Sequence, residues 1–166
     1  MSRSPWWTAP TLGALAACGG GASPESYAHD PCEPIAIVAT AATGAQRDGV
    51  AAAIALWHGR GVAAFDPPAD TGAAPVAPPS LEVRFDDAAP AFHGVYDPAA
   101  DRVLINRGIG DAPTLAIVVA HELGHAFGLA HVAPAARISL MNPDNLTTPP
   151  TDADQRELEA RWGACR

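Results

Sequence analysis

Hydrophobic residues fall into short blocks along this chain, and their spacing switches between strand-like and helix-like. Residues 35–39 are an uninterrupted apolar run that suits a buried strand. In residues 45–58, Val50, Ala53, Ile54 and Trp57 recur at helical intervals and share one stripe, and Gly59 and Gly61 stop the helix. Residues 62–65 predict a second strand, and residues 66–80, rich in Pro and Ala, predict a surface loop. Leu81 to Phe85 alternate apolar with polar, the pattern of a half-buried strand. Residues 91–96 and 102–106 predict two more strands, joined by a hairpin connection at residues 96–101. Leu115 to Ala120 begin a buried helix, with Asp111 placed as N-cap and Pro113 in the first turn. Thr151 and Asp154 form a capping box for a last helix ending near Trp162 and Gly163.

The buried helix runs into His121-Glu122-Leu123-Gly124-His125-Ala126-Phe127-Gly128-Leu129-Ala130-His131, the spacing HExxHxxGxxH. Residues four apart share a helix face, so His121 and His125 can point at one atom. Imidazole is a good zinc ligand, and Glu122 stands beside the first histidine, where it can serve as general base. Gly128 can take a positive φ, end the helix and turn the backbone around, bringing His131 in as third ligand. A fourth tetrahedral position stays open for water, as a catalytic zinc requires. The five fixed positions arise by chance in roughly 5 of 100,000 sequences this long if all residues are equally frequent.

The eleven residues resemble the zinc-binding segment of the metzincin metallopeptidases. Ser139-Leu140-Met141-Asn142-Pro143 downstream is similar to the Met-turn of that family, with the SxMxP pattern of its matrixin branch. Val132 departs from that branch, which usually has Ser after the third histidine. The resemblance spans about residues 34–163, with its specific pattern confined to residues 121–143. It implies an α+β fold: a twisted mixed sheet of about five strands, an active-site helix, a Met-turn and a C-terminal helix. It also implies a zinc endopeptidase with one Zn²⁺ on His121, His125 and His131. Glu122 would be the base, Met141 an apolar floor below the histidines, and Gly128 and Pro143 structural. Residues 91–96 would be an edge strand that pairs with an extended peptide substrate. Residues 132–146 would wall the pocket just C-terminal to the scissile bond. Asp154 reads as structural. His29, His58 and His93 read as incidental or structural, and His93, Asp97 and Asp101 are too sparse to support a second zinc or a calcium site. Two other readings use the same residues: a zinc hydrolase of a non-protein amide or peptidoglycan peptide, and an envelope lipoprotein whose metal only stabilises the fold. Glu122 counts against the last, since a structural site needs no base.

The 166 residues suffice for one domain with a real core, here residues 34–166, and a monomer is expected. The net charge of −8 argues against nucleic acid or an anionic lipid surface as partner. Residues 1–17 read as a signal peptide, with Arg3 as positive n-region and residues 11–17 as a short h-region. Leu15-Ala16-Ala17-Cys18 matches a lipobox, which would acylate Cys18 and anchor an exported protein to a membrane of the cell envelope. The rival is ordinary cleavage near Ala16, which would release a secreted protein. Residues 18–33 then form a tether, flexible over the small and polar stretch 19–26. Cys32 and Cys165 remain; they bracket the domain and can pair in an oxidising compartment. Alternatively Cys32 binds the zinc and keeps the enzyme latent, as a matrixin propeptide cysteine does.

Overall fold

The computed structural model describes residues 29–65 and 79–165. The signal-peptide segment, Cys18, the first part of the tether and most of the Pro- and Ala-rich stretch lie outside the described residues. The elements in order are β1 (Ala36–Thr40), α1 (Gly44–His58), β2 (Ser80–Asp86), β3 (Gly94–Asp97), β4 (Arg102–Asn106), α2 (Ala112–Ala126) and α3 (Asp152–Trp162). The architecture is α+β.

Strand alternation builds the core face of the sheet. Leu81, Val83 and Phe85 of β2 and Val103 and Ile105 of β4 are buried, each stabilising by about 1.5–3 kcal/mol relative to exposure. The strand order is β1-β2-β4-β3, with β1, β2 and β4 parallel and β3 antiparallel to β4. That leaves β3 on an edge, with Tyr96 opposite Val103.

Four strands, not five, are present among the described residues. The strand expected at residues 62–65 does not form. Ala64 accepts from Ile35 N–H and Ala63 N–H donates to Pro31, but Pro31 and Pro34 on the facing segment have no N–H to extend a ladder. Val62 and Ala64 are buried all the same. Their apolar character suits a strand, while the prolines opposite decide the pairing. The β3 strand is also shorter than residues 91–96. Asn106 Nδ2 holds the carbonyls of Ala89 (3.2 Å) and Phe92 (2.7 Å), and Phe92 N–H closes a turn on Ala89 O, so the backbone is bent just before Gly94.

Each helix start has its cap. Thr43 and Gln46 form a capping box on α1, Asp111 caps α2 by accepting from Thr114 N–H, and Thr151 with Asp154 caps α3. Two glycines let the helices approach. A Cβ on Gly49 of α1 would lie 2.6 Å from Leu115 Cδ2 of α2. A Cβ on Gly124 of α2 would lie 2.6 Å from Met141 Sδ and 3.3 Å from the ring of Trp57. Trp57 is fully buried, donates its Nε1–H to Ala120 O at 2.9 Å and meets Phe127 edge-to-face.

The segment before β1 is packed in place. His29 N–H donates to Ala126 O at 2.7 Å, Pro31 is fully buried, and Cys32 is joined by a disulfide to Cys165 beyond α3. Cys32 is therefore not a thiol ligand in this structure. The bond closes a loop with a sequence separation of 133, which in the loop-entropy account stabilises by about 5 kcal/mol. No helix among the described residues is long and apolar enough to cross a membrane.

The helix contact at Gly49 makes a measurable prediction. Gly49→Ala adds helix propensity of about 1 kcal/mol but overpacks the contact by about 1–3 kcal/mol. The net expectation is a destabilisation of about 1–2 kcal/mol in urea unfolding, and an unchanged or raised midpoint would contradict the tight contact.

Candidate metal centre

The histidines are placed by one helix and by the way it ends. His121 and His125 lie on the buried helix α2, where the apolar run before them packs into the core. Past the C-cap Phe127, Gly128 takes φ +89°. Gly128 N–H bonds to His125 O and Leu129 N–H to Gly124 O, both at 2.9 Å, which is the paired pattern of a Schellman ending. The backbone then reverses and presents His131 from outside the helix. From α3, Trp162 Nε1–H donates to Phe127 O (2.9 Å) and Arg161 to Gly128 O (3.2 Å), fastening the turn from behind.

The three rings converge. His131 Nε2 lies 3.1 Å from His121 Nε2 and 3.2 Å from His125 Nε2. Three ligands of a tetrahedral zinc at about 2.0–2.1 Å would stand about 3.3 Å apart, so the spacing fits a single ion. The tautomers fit as well. His121 Nδ1 is 2.8 Å from Leu140 O, and His125 Nδ1 is 2.8 Å from Leu129 O. A carbonyl only accepts, so each Nδ1 carries the proton and each Nε2 presents a lone pair toward the others. Burial pushes both imidazoles toward the neutral form that ligates, His125 to about 4 with the neighbouring His121 adding to the effect. His121, His125 and His131 form the one such group among the described residues.

Glu122 is buried beside His121 and faces the edge strand. Burial raises its carboxyl to about 8, against an opposing hydrogen bond from the backbone of Tyr96. A Cβ on Gly94 would lie 3.0 Å from Glu122 Cγ and 3.1 Å from Oε1, so the bare backbone of β3 makes room for this side chain.

Met141 is buried and lies under Gly124, which stands between His121 and His125 in sequence. Its turn is pinned from two sides. Asn142 Nδ2 donates to Val132 O and Arg137 O, and its Oδ1 accepts from Ser139 N–H. Asp154 of α3, fully buried, accepts from Ser139 Oγ, from Leu140 N–H at 3.0 Å and from Thr151. Burial pushes the Asp154 carboxyl up, but these donors outweigh it and hold it below the usual carboxylate range. Pro143 is exposed in the next turn, where Asp144 takes φ +57°.

The histidines, Glu122, Gly128 and Met141, all named by their sequence pattern, come together here. Gly94 and Tyr96 fall in the expected edge strand and Asn142 in the expected Met-turn, but their particular contacts carry no sequence signal, and Asp154 reaches Leu140 as well as capping its helix. Nothing in the spacing of those residues points to these contacts. Asp97 and Asp101, weighed for a second metal, are used within the β3–β4 hairpin. Asp97 accepts from Ala99 and Ala100 N–H and pairs with Arg102, and Asp101 contacts His29 and Tyr96.

Asp154 acts on His121 through Leu140, which supplies the carbonyl for His121 Nδ1. Asp154→Asn should cost about 2–4 kcal/mol in urea unfolding and weaken zinc binding measured with a competing chelator. The sign with pH follows from the lowered folded-state value. Its stabilisation is complete above the unfolded value of about 4 and is lost as pH falls through the folded value. Wild type should therefore lose this part of its stability below about pH 4, and the Asn variant should lack that part of the acid loss.

No protein-family profile matches this sequence. No characterised protein matches it in sequence. Among solved structures, the protein is similar to high choriolytic enzyme 1, a hatching-enzyme zinc protease of the medaka fish Oryzias latipes, with a TM-score of 0.47 and 12% identity over 85% of this chain and 94% of that one.

Proposed function

We propose that this protein is a zinc-dependent endopeptidase of the metzincin type, with the turn at Met141 as its Met-turn. The observation that carries the reading is the convergence of the Nε2 atoms of three imidazoles beside a buried carboxyl group. A donor set of three imidazoles suits zinc with one position left open. A zinc ion there supplies Lewis acidity, making water a better nucleophile near neutral pH and polarising a carbonyl. Glu122 takes the proton from the attacking water and returns it to the leaving amine. Its room against Gly94 leaves the carboxyl between α2 and β3, next to the edge at which a substrate would pair. The outer edge of β3 carries Glu122 on the Tyr96 N–H, and its remaining backbone groups, with Val95 exposed among them, would hydrogen-bond an extended peptide.

A cavity of about 410 Å³ adds support for side-chain recognition. It is lined by Leu56 of α1, Pro113, Thr114 and Ile117 of α2, and Leu146 and Pro149 past the Met141 turn. Its α2 lining ends at Ile117, one helical turn ahead of His121. We assign it to an apolar side chain on the substrate residue that follows the scissile bond.

Export belongs to the same proposal. The Cys32–Cys165 bond needs an oxidising compartment, and Leu15-Ala16-Ala17-Cys18 supplies the signal for anchoring at Cys18.

Zinc-loaded wild type should cleave unfolded protein, lose activity to a chelator and regain it with Zn²⁺. Glu122→Gln should keep one zinc and lose about 10²–10⁴-fold in kcat/KM. A wild type that binds zinc yet cleaves only cell-wall peptides would move the substrate class to those amides, and one that cleaves nothing would end the enzyme reading. Ile117→Trp fills the cavity and should cut kcat/KM about tenfold or more for substrates with a large apolar residue after the scissile bond, sparing those with Ala there.

A further inference from the structure

The carboxyl of Glu122 rests on β3, a four-residue edge strand paired on one side only. So short an edge strand is held weakly by its own ladder. Its turn into β4 also contains Asp101 at φ +48°, a left-handed conformation that costs a non-glycine residue about 1 kcal/mol or more. Two side chains, His29 and Tyr96, hold that corner. His29 Nε2 lies 2.8 Å from Asp101 Oδ1, and Tyr96 Oη–H donates to the same oxygen at 3.0 Å. A carboxylate only accepts, so both neighbours are donors. His29 is itself fixed, since its N–H donates to Ala126 O in the last turn of α2. Burial, then Asp101, raises the Tyr96 phenol well above its usual range, which keeps the hydroxyl a donor.

We infer that His29 is a positioning residue for Glu122, acting through Asp101 and Tyr96. The path is continuous. His29 bridges the end of α2 to Asp101, Asp101 holds the Tyr96 hydroxyl, and the Tyr96 backbone N–H holds the Glu122 carboxyl. Gly94, two residues earlier on the strand, sets how closely the carboxyl can lie. The segment ahead of β1 thus sets the distance between the helix that carries the base and the strand that supports it. This rests on the endopeptidase reading for its kinetic consequence, but the positioning itself does not require catalysis.

The test compares His29→Ala, His29→Gln and Tyr96→Phe in the full-length protein, with kinetics on the zinc-loaded form and amide exchange on the zinc-free form. Gln keeps an N–H donor at similar reach. His29→Ala and Tyr96→Phe should each lower kcat about tenfold while KM stays within about twofold, because a small misplacement of a catalytic group acts on kcat. His29→Gln should recover most of the loss. In zinc-free protein the Tyr96 amide should exchange about tenfold faster in His29→Ala, while the Val83 amide at the centre of the sheet stays protected. The inference is overturned if Tyr96 exchange is unchanged in His29→Ala, or if Tyr96 and Val83 accelerate together, which would mean loss of global stability alone. If wild type cleaves nothing, the endopeptidase reading fails, and the exchange data still decide the inference.

Discussion

Two backbone carbonyls govern this site. Leu140 O and Leu129 O each take the Nδ1 proton of a histidine, and that decides where the lone pairs of His121 and His125 point. Both carbonyls come from segments that follow α2, so the helix alone cannot specify the tautomers. The Schellman ending at Gly128 delivers Leu129, and the turn around Met141 delivers Leu140. Everything that steadies those two segments therefore acts on the histidines: Asn142 across the loop from His131, Asp154 and Arg161 from α3, and Trp162 behind Phe127.

The same helix is the spine of the core. Its inward face meets α1 through Gly49 and Trp57 and the Met141 turn through Gly124. Gly124 sits between His121 and His125 in sequence, so the packing that stabilises the fold and the spacing that gathers the imidazoles are written in one stretch. A volume change there is felt in both, because a close-packed interior relaxes only in part.

What is legible in the sequence follows from which interactions are local. His121, Glu122 and His125 lie within one helix, and Gly128 brings His131 only a few residues on, so helical geometry and one positive φ suffice. The α2 and α3 caps and the strands at 81–85 and 102–106 are legible because side chains within a few residues decide them. Residues 62–65 mislead, since their apolar character says nothing of the prolines they face. Tyr96 and Gly94 are legible as members of an edge strand but not as neighbours of Glu122, and His29 is not legible at all, because these contacts arise when β3 is laid against α2 and the N-terminal segment against both. Asp154 is legible as a cap and illegible as the partner of Leu140 for the same reason.

The Cys32–Cys165 bond also has a mechanical meaning. It makes residues 32–165 a covalent ring, with the segment ahead of Cys32 as a stem. Tension entering along that stem first meets the His29 contacts and then divides at the ring between the start of β1 and the end of α3. The parallel pairing of β1 with β2 is spared from being peeled open one hydrogen bond at a time.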